Sequence, residues 1–232
     1  MITFPRRLAL RFGVLSLCIL LTALVASTRL ADEAVGADVR RCETFAAGAA
    51  ARRAEPPTGT GPRIVVVGDS WSAGLGLRDP SQAWTSRLEG RVHVDAFSGS
   101  GFSAAASPCR GASFAARVER AVEGGADLVV LEGGLNDVDQ SVADLRAGFE
   151  RVLAPLDGLD VVVVGPAAAP ARAAGAAWVD TELAVLTGDH GVAYVSTRDL
   201  DLPYLSDGLH LTTDGHRAFG EAVATRIAGL AG

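Results

Sequence analysis

Lysine is missing from the 232 residues: all 21 basic side chains are arginine. A phosphate-binding P-loop, which needs a lysine to reach the phosphates, is therefore excluded. Cysteine is scarce. Cys18, Cys42 and Cys109 are too few for a disulfide scaffold and lack the spacing of a zinc site. A surplus of positive charge is absent too, since 27 acids against 21 arginines leave a net charge of −6. Nucleic-acid binding needs clustered cations on phosphates, so no nucleic-acid partner is expected. No repeat period is present, and no proline interrupts the short apolar runs. What the chain does have is 49% hydrophobic and 21% charged residues, a balance that excludes a disordered or collagen-like chain despite 27 glycines.

One longer apolar stretch stands at the front. Arg6, Arg7 and Arg11 precede an uncharged run over residues 12–28. A basic start followed by a short apolar block is the layout of a secretory signal. The run is shorter than the roughly 20 residues that span a bilayer comfortably, which leaves a tilted or thin-membrane anchor as the alternative. Residues 1–27 are thus expected to be a signal peptide or an N-terminal membrane anchor, with Val25-Ala26-Ser27 suited to cleavage. The protein is then secreted, or held on the outer face of the cytoplasmic membrane. Cleavage removes Cys18 and leaves Cys42 and Cys109 as an even pair in an oxidising compartment, which predicts a disulfide. Closing a loop of that length contributes about 3–5 kcal/mol by restricting the unfolded chain.

Residues 28–61 are rich in Ala, Gly and Pro and read as a tether, partly helical over 39–51 and ended by Pro56-Pro57-Thr58-Gly59. From residue 62 the pattern becomes regular. Apolar runs at 64–67, 92–96, 128–131, 161–164 and 192–195 alternate with stretches of helical spacing. Phe114, Val118 and Val122 form one stripe; Val142, Leu145, Phe149, Val152 and Leu156 form a longer one. Phe219, Val223, Ile227 and Leu230 give a closing helix. Continuous apolar strands alternating with amphipathic helices predict an α/β, three-layer domain over residues 62–232 with five parallel strands. In such sheets the chemistry lies beyond the carboxyl ends of the strands.

Those ends carry Gly68-Asp69-Ser70-Trp71, Ser98-Gly99-Ser100-Gly101 and Glu132-Gly133-Gly134-Leu135-Asn136-Asp137, with Asp207-Gly208-Leu209-His210 before the last helix. A serine after Gly-Asp at a strand-to-helix turn can present its hydroxyl and its N–H together, although helix capping alone uses Ser and Asp constantly. Asp207, three residues before His210, can accept one ring N–H and leave the other nitrogen to take a proton. Asn136 adds a side-chain amide donor. Nucleophile, base, orienter and donors at one sheet edge are the needs of a serine hydrolase. Rival sites are weaker. Gly99-Ser100-Gly101-Phe102-Ser103-Ala104 fits a loose dinucleotide pattern, but Pro108 and Cys109 interrupt the helix that must follow. His216 lacks an acid at the same offset and falls in the final helix; His93 lies in a strand and His190 in a surface turn. Asp199 and Asp201 have no His or Cys at ligand spacing, and the chemistry needs neither metal nor cofactor.

Over residues 62–232 the chain resembles the SGNH (GDSL-type) hydrolases. Their four blocks are matched in order by Gly68-Asp69-Ser70, the glycine after the second strand, Gly134-Leu135-Asn136-Asp137 and Asp207-Gly208-Leu209-His210. The resemblance implies a flavodoxin-like sheet, Ser70 as nucleophile, His210 as general base and Asp207 as its orienter. It also implies an oxyanion hole made of the Ser70 N–H, a glycine N–H and the Asn136 amide. Gly99 is the glycine that fits the pattern, with Gly101 as the alternative. One departure is Trp71, where the signature has leucine. The implied activity is hydrolysis of carboxylic esters, short-acyl ones foremost, as an esterase, lipase or deacetylase, through an acyl-enzyme. The substrate classes left open are small-molecule or glycan-linked acyl esters, acetylated cell-surface polysaccharide among them, and lipids. The alternatives are acyl transfer to or from a cell-surface glycan and a non-catalytic binding module. No long insertion between blocks forms a lid, which favours an open cleft.

Overall fold

The computed structural model describes residues 35–230; the expected signal segment and Cys18 lie outside the described residues. The first helix, α1, covers residues 35–54 and stops before Pro56-Pro57, where the ring and the missing N–H end helical hydrogen bonding. It is longer than the 39–51 expected. The compact unit that carries the sheet begins at Thr44, so residues 44–61 belong to it rather than to a free tether. Phe45 packs edge-on against Phe97, Arg52 donates to the Thr85 hydroxyl at 3.2 Å, and Thr58 makes an antiparallel bridge to Val92. Cys42 and Cys109, the two cysteines of the described residues, are both disulfide-bonded, as their even count predicts.

Five strands follow, each built from a short Val/Ile/Leu run: β1 (Arg63–Gly68), β2 (Arg91–Ala96), β3 (Leu128–Glu132), β4 (Val161–Val164) and β5 (Ala193–Val195). All pairs are parallel and the order is β2-β1-β3-β4-β5, the flavodoxin-like arrangement. Between them run α2 (Ser70–Ala73), α3 (Val118–Ala121), α4 (Val142–Leu153) and α5 (Ala173–His190), and α6 (Thr213–Ala228) closes the chain. Alternation along the strands sorts the core into two layers. Ile64, Val66, Val130 and Val164 face Trp71, Trp84, Leu211, Phe219 and Val223. Val65, Val67, Val129, Leu131 and Val163 face Phe102, Phe114, Val118, Phe149 and Leu183 on the other side. Burial on both faces is why the strands read as unbroken apolar runs. Because β2 and β3 lie on opposite sides of β1, the crevice above the β1 and β3 carboxyl ends is where the strand order reverses.

The expected helix over Phe114, Val118 and Val122 shrinks to the single turn of α3. It is preceded by a turn in which the Arg117 and Val118 N–H groups both donate to Phe114 O, and it is cut off by Gly124 and Gly125 in the left-handed conformation; Phe114 itself stacks edge-on against Phe102 at 4.8 Å in the core. Arg117 then turns its side chain inward. Its guanidinium, 2% exposed, donates to Ala112 O (2.8 Å), to Asp95 O and Oδ1 (2.7 and 2.6 Å), and to Gly68 O and the Ser100 hydroxyl (both 3.0 Å). Five acceptors, from β1, β2 and the segment between β2 and α3, converge on one cation. His190 is the last residue of α5 rather than part of a turn, with Nε2 3.0 Å from Glu150 Oε1. α5 itself carries no stripe in the sequence because its alanines spread apolar surface around the whole helix.

Replacing Arg117 with methionine keeps much of the volume and removes the cation. Asp95 is then left buried with only the half-exposed Arg120 as partner, at 2.8 Å. Breaking a buried pair in this way costs about 3–5 kcal/mol. Urea denaturation of Arg117→Met is expected to show a midpoint lowered accordingly, and Arg117→Met with Asp95→Leu to recover part of the loss.

Candidate active site

β1 ends at Gly68, and Asp69 caps the short helix that follows: its Oδ1 accepts the Trp71 N–H at 2.9 Å. Ser70 is therefore the first helical residue, almost buried at the crevice floor. The helix is closed after one turn by Gly74 in the left-handed conformation, and the Leu75 N–H returns to Ser70 O at 2.9 Å. Beyond β2, the Phe97 N–H donates to Gly68 O and the Ser100 N–H to Phe97 O, both at 3.1 Å. This leaves Gly99 at the corner of a turn with φ +78°, half-exposed, in a conformation that L side chains rarely adopt. Gly101, by contrast, is buried, and a Cβ there would collide with the Asp137 carboxylate.

The loop after β3 brings in Asn136. Its Nδ2 donates to Ser100 O at 2.8 Å and more weakly to Asp69 Oδ2 at 3.2 Å, so the amide joins the loops that follow β1 and β2. Asp137 accepts the Phe102 and Ser103 N–H groups at 3.1 and 2.7 Å. Those are the donors that a pyrophosphate would require of the dinucleotide-like pattern. A carboxylate already fills their place, so that reading is ruled out physically.

The fourth piece is a hairpin in which Tyr204 and Leu211 form an antiparallel bridge and the Leu205 N–H donates to His210 O at 2.7 Å. Asp207 Oδ1 accepts the Leu209 and His210 N–H groups at 2.9 and 3.0 Å, while its Oδ2 lies 2.6 Å from His210 Nδ1. The tautomer that donates from Nδ1 leaves Nε2 with its lone pair. The contact with His210 and these two backbone donors hold the Asp207 carboxyl down at about 2. The Asp207 carboxylate is 47% exposed and the imidazole 19%, so this pair sits at the rim of the cleft. Trp71, directly after the serine, donates its indole N–H to Leu209 O at 3.1 Å, directly before the histidine.

Three buried carboxyls lie beneath these groups. Burial pushes Asp69 up to about 7, against the pull of the Trp71 N–H and of His210. Burial likewise pushes Asp137 up to about 6, opposed by its hydrogen bonds from Ser103 and Phe102. Glu132, at the end of β3, is raised well above the usual range by burial and then by the neighbouring Asp69. It accepts the Ser72 hydroxyl at 2.5 Å, which in turn accepts the Trp84 indole N–H at 3.1 Å.

The structure thus brings Ser70, Asn136, Asp207 and His210 to one edge of the sheet, with Gly99 on the adjoining turn. The rival residues go elsewhere. His216 is fully buried in α6 and burial lowers it to about 4, which keeps it neutral in the core. His93 lies in β2, 3.2 Å from an Arg63 nitrogen. Asp199 is held by Arg226 in a two-pronged ion pair at 2.9 and 2.7 Å. Sequence reasoning missed Arg117, Glu132, Ser72 and Trp84, which support the site from below. Each sits in an ordinary apolar or helical context, and only an unpaired Glu at the end of an apolar strand could have drawn notice.

Comparison with known proteins bears on the family and the fold. A family model described as the GDSL-like lipase/acylhydrolase family matches residues 66–218, well over half of the chain. No curated protein matches at a significant level. Among solved structures, Est24, a carbohydrate acetylesterase from Sinorhizobium meliloti, is 21% identical, with a TM-score of 0.59 and coverage of 72% of this chain and 99% of that one. The inhibitor-bound M. smegmatis aryl esterase is 17% identical, with a TM-score of 0.60 and coverage of 73% and 100%. A putative arylesterase from Agrobacterium tumefaciens is 21% identical, with a TM-score of 0.58 and coverage of 72% and 99%. At these identities the likeness is one of fold. The family match decides the rest: this chain belongs to the GDSL-like lipase/acylhydrolase family and is a carboxylic ester hydrolase.

Proposed function

We propose that the ester is cleaved by a Ser70–His210–Asp207 triad. The observation that carries this reading is the 2.6 Å pairing of His210 Nδ1 with Asp207, on a hairpin tied to the residue after Ser70. Ser70 Oγ attacks the ester carbonyl carbon while His210 Nε2 takes its proton. The tetrahedral oxyanion is held by the N–H groups of Ser70 and Gly99 and by the Asn136 amide. Collapse expels the alkoxide, which takes the proton back from His210. Water, deprotonated by the same nitrogen, then attacks the acyl carbon, and as the acyl–oxygen bond to Ser70 breaks His210 returns the proton to Ser70 Oγ and the acid is released. Asp207 stays ionised throughout and stabilises the imidazolium. Gly99 is preferred to Gly101 because it stands half-exposed at a turn, whereas Gly101 is packed on Asp137. In the substrate-free site the longer Asn136 contact, to Asp69 at 3.2 Å, is the one an oxyanion displaces.

The substrate class we favour is a short acyl ester, acetyl above all, on a sugar or another small alcohol. The absence of a lid insertion in the sequence and the carbohydrate acetylesterase among the structural neighbours support it. The basic and apolar leader, together with disulfide-bonded Cys42 and Cys109, supports action outside the cytoplasmic membrane.

Three outcomes test these assignments. Ser70→Ala is expected to lose both fluorophosphonate labelling and ester hydrolysis while its thermal unfolding stays near that of the parent; retained hydrolysis would sink the triad. Asn136→Ala is expected to keep labelling, more slowly, and to lose about 10²–10³ in kcat, or about 2.7–4 kcal/mol, with little change in KM. A rise in KM alone would make Asn136 a uniform binding contact. Across chromogenic esters from acetyl to long-chain acyl, kcat/KM is expected to fall with chain length; a maximum at long chains would exclude the short-acyl assignment.

A further inference from the structure

We infer that Trp71 is a positioning residue, whose indole N–H fixes the separation of Ser70 and His210 through the Leu209 carbonyl. The inference rests on the triad proposed above and goes beyond it, because Trp71 touches no reacting atom. The two halves of the triad belong to elements with separate supports. Ser70 is placed by β1 and its cap, Asp69. His210 is placed by its own hairpin, through the Leu205 N–H, Asp207 and the bridge between Tyr204 and Leu211. The supports of Ser70 are internal to the β1 turn; the hairpin is tied in addition to the segment before α5, where the Ala171 N–H donates to Gly208 O at 2.9 Å, and none of these bonds crosses the gap between Ser70 and His210.

The Trp71 bond spans that gap at 3.1 Å between residues 138 positions apart in sequence. It starts one residue after the nucleophile and ends one residue before the base. The ring that donates it cannot drift, since it is 2% exposed, stands edge-on to Phe219 at 5.0 Å and leans on Tyr204 at 6.2 Å. Leu211 and Phe219 share its apolar cluster, so the hairpin and α6 both register on the same indole. The leucine of the family signature could fill part of this space but has no donor. Without the N–H, the Leu209 carbonyl loses its partner at the crevice wall and the hairpin is free to settle at another distance. A shift of about 1 Å between catalytic groups can cost on the order of 10²-fold in rate, so a smaller displacement is expected to cost about ten-fold.

The test compares three proteins: the parent chain, Trp71→Phe, and the chain carrying 3-benzothienylalanine at position 71. The last has the shape of tryptophan with sulfur in place of the N–H. Both replacements are expected to lower kcat about ten-fold, with KM within about two-fold, and to slow fluorophosphonate labelling of Ser70 in parallel. A role limited to filling space would shift the melting temperature of Trp71→Phe and leave kcat of the benzothienyl protein at the parent value. That result overturns the inference, even where Trp71→Phe itself fails to fold. The triad is checked separately by mapping the label on the parent chain. Label on a residue other than Ser70 overturns both readings, while label on Ser70 with undiminished kcat in the benzothienyl protein overturns the role of Trp71 alone.

Discussion

A single buried cation holds the crevice together. The Arg117 guanidinium reaches the carbonyl that ends β1, the carbonyl and carboxylate of Asp95 in β2, the carbonyl of Ala112 and the hydroxyl of Ser100. Its planar fork offers five donors in fixed directions, so it fixes the mutual position of several acceptors at once. Strands one and two need this help at their ends. Backbone pairing stops at Gly68 and Ala96, yet the chain beyond must present Ser70 from one strand and the Gly99 turn from the other at matching heights. Taking a guanidinium out of water is costly, and the carboxylate of Asp95, together with neutral acceptors, offsets that cost locally.

A second constraint is negative charge held without water. Asp69, Glu132 and Asp137 converge near Ser70, and burial works against ionising all of them together. Their hydrogen bonds show different purposes. Asp69 and Asp137 bind backbone N–H groups and shape loops, whereas Glu132 joins Ser72 and Trp84 in a chain beneath α2. A carboxyl kept protonated in such a place contributes directional hydrogen bonds without adding repulsion toward a developing oxyanion. Polar groups are thus packed where a core would ordinarily place hydrocarbon, and the aromatic residues Trp71, Trp84 and Phe219 seal them from one side.

Much of this was legible in the residues themselves. The five strands could be read because burial on both faces leaves unbroken runs such as Val161-Val162-Val163-Val164, and β4 falls where the run does. The edge on which Ser70, Asn136 and His210 meet followed from parallel pairing alone. Two features were hidden for different reasons. The segment around α3 has helical spacing, and the Val118 N–H does donate to Phe114 O, but the helical course ends after α3, too short for the stripe to mark a full helix. Residues 44–61 have the composition of a linker, yet Phe45, Arg52 and Thr58 each find a specific partner in the unit. Long-range partners of that kind leave no local periodicity. The same holds for Arg117 and Glu132, whose meaning lies in what approaches them from distant loops.

The hairpin that carries Asp207 and His210 has a consequence for folding. Its bonds join residues only a few positions apart, so the pair can form with little loop-closure entropy and early. The turn that carries Ser70 is equally local, with Asp69 capping its own helix. Bringing the two together requires the contact between Trp71 and Leu209, one of the most distant pairings in sequence that the site contains. Completion of the site therefore depends on a non-local contact on the α6 side of the sheet that the local bonds and the strand pairing do not supply.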